Sequence, residues 1–163
     1  MSFLPRQATT ASAFVVMLSV AACGGSTPSG GAVSSPSPTP PPNVLAKSET
    51  VAGASMVILV DANGMTLYRW KKDTGTGKVG CVAACAAIWP PFILPAGATK
   101  PVGGSGVTGT LSTLSNPDGK GLQVTYNGWP LYFFSKDKAP GDTSGQGVAG
   151  NWFVVTPDQA TNA

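Results

Sequence analysis

Two stretches of this chain repeat each other, without a gap, at an offset of 64 residues: Asp61–Asp73 and Thr125–Asp137. Asn63-Gly64 matches Asn127-Gly128, Leu67-Tyr68 matches Leu131-Tyr132, Lys72-Asp73 matches Lys136-Asp137, and Trp70 falls opposite Phe134. Trp89 and Trp152 follow at almost the same distance. Asn-Gly is the strongest short hairpin signal, because both residues tolerate the positive φ of a type I′ turn. The pattern therefore predicts two hairpins. Met56–Val60 runs into Met65–Trp70, and Leu122–Tyr126 runs into Leu131–Phe134. Asn116-Pro117-Asp118-Gly119 predicts a further turn that joins Val107–Ser115 to Leu122, and Asn151–Thr156 reads as a closing strand. Only Val82–Ile88 suggests a helical turn. A lone hairpin is marginal in water, so the two units must bury their apolar faces against each other. The expected fold is mainly β, a small pseudo-symmetric sandwich or barrel of two hairpin repeats near residues 56–92 and 120–156, within a domain at 44–163.

The residues before that domain read as an address and a spacer. Arg6 precedes an apolar run, Ala11–Ala22, which is too short for the roughly 20 residues that cross a bilayer. The run ends in Val20-Ala21-Ala22-Cys23, resembling a lipobox, so residues 1–22 are expected to be a lipoprotein signal peptide and Cys23 the lipid acceptor. The stretch from Gly24 to Asn43 is rich in Gly, Ser and Pro and has almost nothing to bury. Residues 23–43 are thus expected to be a lipidated cysteine and a disordered tether. The expected location is an exported, membrane-anchored one, facing the periplasm or the cell surface. Once lipid claims Cys23, Cys81 and Cys85 remain, and an even pair in an exported chain is most simply a disulfide pinning the helical turn.

Composition narrows the chemistry. The chain has no His, which removes Ser-His-Asp and Cys-His catalysis and imidazole metal sites together. Seven acidic residues leave few candidates for general acid–base work. A net charge of +3 without a dense Lys/Arg run argues against nucleic acid, and Lys71-Lys72 reads as a solvated strand end. No cofactor, metal or catalytic residue is expected. Asp137–Gly147 lacks both the EF-hand spacing and a P-loop ending, and Met56 and Met65 without a third ligand read as core rather than copper ligands.

The repeat resembles a family of predicted bacterial lipoproteins and secreted repeats bearing a Tyr-x-(Phe/Trp/Tyr)-x-x-Asp motif. The motif occurs twice, as Tyr68, Trp70 and Asp73 and as Tyr132, Phe134 and Asp137. Cys81, Cys85 and Trp89-Pro90-Pro91 match a second feature of that family, and the phrase Tyr126–Tyr132 a third. The resemblance spans residues 55–157 and implies no established activity. On a strand, Tyr68 shares a face with Trp70, and Tyr132 with Phe134. These rings are expected to form the aromatic half of the core, with Asp73 and Asp137 capping the loops that follow. A cleft that stacks a planar ligand or a sugar is the sharper alternative. The expected function is non-catalytic: a lipid-anchored envelope domain that binds an envelope protein or small ligand, or holds structure. The alternative is a periplasmic redox or electron-transfer accessory using Cys81 and Cys85 or a cofactor.

Overall fold

Both Asn-Gly pairs sit at hairpin tips in a computed structural model that describes residues 40–74 and 77–162. The strands are β1 (Val44–Val51), β2 (Ala54–Asp61), β3 (Tyr68–Trp70), β4 (Leu111–Ser115), β5 (Leu122–Tyr126), β6 (Trp129–Pro130) and β7 (Trp152–Val154). One short helix, α1 (Ala84–Ile88), and a single 3-10 turn (Val148–Gly150) complete the described elements. The pairings β1–β2, β3–β7 and β4–β5–β6 are all antiparallel. The fold is thus mainly β, as the hairpin pattern requires. The signal segment and Cys23 lie outside the described residues.

The two tips are not built alike. Asn127 and Gly128 both take positive φ, 49° and 83°, giving the two-residue turn expected between Tyr126 and Trp129. At the first tip only Gly64 does so, with φ 83°, and the Asp61 backbone N–H donates to Met65 across a three-residue loop. The cause is Asp61. Its Oδ1 accepts from the backbone N–H of Asn63 (2.9 Å) and of Met65 (2.8 Å), a side-chain bond that competes with the tighter turn. Ala62 is the extra residue. Strand equivalence before the tips is therefore offset by 65 residues, while after them it is 64.

The repeats exchange their last strands. In the first repeat, Leu67 N–H donates to Leu59 (3.0 Å), Leu59 to Val155 (2.7 Å) and Val155 back to Leu67 (3.0 Å). The second repeat closes the same triangle through Leu131, Val124 and Phe92, at 3.0, 2.9 and 2.9 Å. Val155 belongs by sequence to the second repeat and Phe92 to the first, so each unit is completed by the other. Further along, Lys71 N–H donates to Asn151 and Ser135 N–H to Ile88, again reciprocally. β3 and the strand after β6 meet at Tyr68 and Tyr132, whose backbones exchange both hydrogen bonds at 2.8 and 2.9 Å. A pseudo-twofold axis runs between these two tyrosines.

Two apolar clusters fill the interior. One gathers Leu59, Leu67, Phe92, Val124, Leu131 and Val155 around the two triangles. The other is aromatic. Trp70 stacks on Trp152 (ring centroids 5.4 Å apart), Trp152 on Trp89 (3.8 Å) and Trp89 on Phe134 (4.2 Å). The column of four rings crosses the pseudo-axis between Trp152 and Trp89. Tyr132 meets Trp152 edge-on, and Tyr68 meets Trp89 in the same way. Each well-placed ring pair is worth roughly 0.5–1.5 kcal/mol beyond area burial, so the column is a major tie between the repeats.

Candidate functional site

The motif residues converge on the pseudo-axis. Tyr68 Oη donates to Asp137 Oδ2 at 2.7 Å, and Tyr132 Oη donates to Asp73 Oδ2 at 2.6 Å. The tyrosine of each repeat thus holds the aspartate of the other. The second oxygen of each carboxylate caps its own loop: Asp73 Oδ1 accepts from Gly80 N–H (2.8 Å) and Asp137 Oδ1 from Ser144 N–H (3.1 Å). Gly145 N–H donates to the Tyr68 hydroxyl, and Cys81 backbone N–H does the same for Tyr132. Gly145 admits no side chain, since a Cβ there meets the Tyr68 ring at 2.7 Å. Sequence reasoning anticipates the capping. The crossing between repeats it does not.

Burial sets the electrostatics. Both tyrosines are 0% exposed, Asp73 is 1% and Asp137 is 7%. Removal from water pushes both carboxyls above their ordinary range, while the tyrosine hydroxyl and loop N–H bonds pull them partly back. The same burial, reinforced by the facing carboxylate, pushes both phenols well above theirs. Trp70 is half-buried, and Phe134 lies within the column. The motif forms a sealed hub rather than a cleft into which a ring could stack.

The other sequence candidates fall around this hub. Cys81 and Cys85 form a disulfide whose Cα atoms are 5.1 Å apart, with Cys81 fully buried against the aromatic cluster. The bond precedes α1 and so fixes the entry to Trp89 in the column. Asp142 stabilises the loop after Asp137: its Oδ2 accepts from Lys138 and Ala139 N–H, which holds its carboxyl below the ordinary range. That loop packs over the first hairpin, where Thr66 donates to the Asp142 carbonyl (2.7 Å) and Thr143 to the Thr50 carbonyl (3.0 Å). Among the described residues no group of three His, Cys, Asp or Glu side chains is placed to hold a metal. Met56 is exposed at 38% and Met65 is half-buried.

A groove of about 340 Å³ opens beside β4 and β5, lined by Thr110, Ser112, Leu114, Thr125 and Asn127 and bounded by the C-terminal Thr161 and Asn162. Sequence reasoning misses it. The gapless repeat sets Thr125 against Asp61, whereas the strand equivalence sets it against buried Val60.

The profile of a family described as a secreted repeat of unknown function matches residues 52–92 and 112–156. The two segments are the two repeats, and they end on the two exchanged strands. No curated protein and no solved structure matches the chain.

Proposed function

The chain belongs to this family of secreted repeats, and from that premise we propose that it is an exported, lipid-anchored envelope domain with a binding or structural role and no catalysis. The crossed Tyr–Asp pairs carry the proposal. They engage the motif's carboxylates and phenols with one another and with backbone N–H groups inside the core, leaving no reactive side chain of the motif facing a substrate. Absence of His from the sequence supports the same reading. The anchor rests on the apolar run ending at Cys23, and the Gly/Ser/Pro stretch that follows suits a spacer between membrane and domain.

Expression of the full chain in a bacterial host supplied with an alkyne analogue of palmitate tests the anchor. The native chain is expected to carry the label and to sediment with membranes. Cys23→Ala is expected to lose the label and appear in the soluble exported fraction. Label that persists in Cys23→Ala would overturn the lipid-anchor assignment, and turnover of any bound ligand would overturn the non-catalytic one.

A further inference from the structure

The pseudo-symmetry supplies an internal control for the groove. In the first repeat the equivalent surface is sealed by an apolar pair: Leu45 of β1 faces Val60 of β2, Val60 is fully buried, and both pack into the aromatic cluster. In the second repeat the corresponding cross-strand pair is Ser112 and Thr125. Same backbone, same register, opposite chemistry. A core position that merely needed filling would keep its apolar side chain, because burying a hydroxyl without a partner costs roughly 1–3 kcal/mol. Yet Thr125 is only 5% exposed, and among the described residues its hydroxyl has no hydrogen-bond partner. It opens onto the groove, beside the hydroxyls of Thr110 and Ser112, which are likewise unengaged.

We propose that this groove binds a neutral carbohydrate one or two sugar units long. The inference rests on reading the domain as a binding module, and it names the ligand class. The lining carries no charged side chain, which disfavours phosphate, carboxylate and ammonium ligands. Three convergent hydroxyls can each donate and accept, which suits a ligand that is itself rich in hydroxyls. Leu114 offers an apolar wall for the C–H face of a sugar ring. At about 340 Å³ the groove lies at the small end of ligand sites. Asn127 shapes the wall and is already engaged: its Oδ1 accepts from Thr110 N–H and its Nδ2 donates to the Gln159 carbonyl.

Saturation-transfer NMR on the intact lipoprotein in detergent, with di-N-acetylchitobiose and separately with maltose, tests the assignment. Transfer to at least one disaccharide is expected. It should vanish in Ser112→Leu/Thr125→Val, which installs the sealed pair of the first repeat. Ser112→Ala removes one hydroxyl from an exposed position without repacking anything, and it should weaken binding about two- to tenfold. No transfer from either disaccharide, or equal transfer to the native chain and to Ser112→Ala, would overturn the proposal. Backbone shifts at Leu111, Thr113 and Ser115 on adding a neutral extended peptide, with no sugar transfer, would replace it by strand addition to the β4 edge. Monosaccharide signals growing during the run would refute the non-catalytic reading while leaving the ligand class standing.

Discussion

Replacing Tyr132 by Phe deletes one oxygen from the hub and leaves the ring in place. Asp73, 1% exposed, would keep its bond from Gly80 N–H and lose the only side-chain donor on its other oxygen. Hydrogen bonds to charged groups contribute about 1.5–3 kcal/mol, and the Cys81 N–H loses its acceptor as well, so a loss of about 2–3 kcal/mol is expected. For a domain of this size that lowers Tm by roughly 8–12 °C. The sign with pH follows from burial. Asp73 and Asp137 titrate above the ordinary carboxylate range when folded, so the native state holds protons that the unfolded chain has released. Their contribution to stability is full below the unfolded pKa and is lost as pH rises through the folded one. Without the Tyr132 donor the Asp73 carboxyl moves higher still. The penalty of Tyr132→Phe should therefore be smallest in acid, where Asp73 is protonated, and grow toward neutrality. Urea melts across that range, with Asp73→Asn completing a double-mutant cycle, measure it. A penalty independent of pH, or single-mutant losses that simply add, would refute the reasoning.

Two further outcomes follow from the packing. Reducing Cys81–Cys85 opens a very short loop, so the cost should be only about 2 kcal/mol, read as a modest Tm drop in dithiothreitol; complete unfolding would contradict a local role. Cleaving the chain between Gly97 and Ala98 should give two fragments that do not melt cooperatively alone, because each lacks its closing strand. Mixed, they should regain the near-UV circular dichroism of the stacked tryptophans, and a fragment that folds unaided would argue against strand exchange.

The second hairpin was legible because its turn depends on two adjacent residues, Asn127 and Gly128, acting through their own φ preferences. The first was only partly so. The same dipeptide yields to Asp61, two residues upstream of Asn63, whose side chain takes two backbone donors and lengthens the loop. β1 escaped notice since its partner register exists only once β2 is placed, and Val44–Val51 mixes charged and apolar side chains. The expected run Val107–Ser115 shortens to Leu111–Ser115, Gly109 lying hard against the Tyr126 ring. Spacing could place each tyrosine near an aspartate but could not say which repeat supplies it. That choice is made by strand exchange, a long-range property with no local residue signal. Ser112 and Thr125 look like ordinary strand hydroxyls until the one-residue shift aligns them with Leu45 and Val60.

The closing triangle of the first repeat has a consequence for the order of events in the cell. Leu59 and Leu67 wait for Val155, a residue nearly at the end of the chain, and Phe92 waits for Val124 and Leu131. No half of the molecule can bury its core while the other is still being synthesised. Loop closure over such distances makes folding slow. For a chain destined to leave the cytoplasm that delay is useful, since a polypeptide without a premature fold remains threadable through a translocation pore. The interlock that ties the mature domain together also postpones its formation until the whole sequence has been delivered.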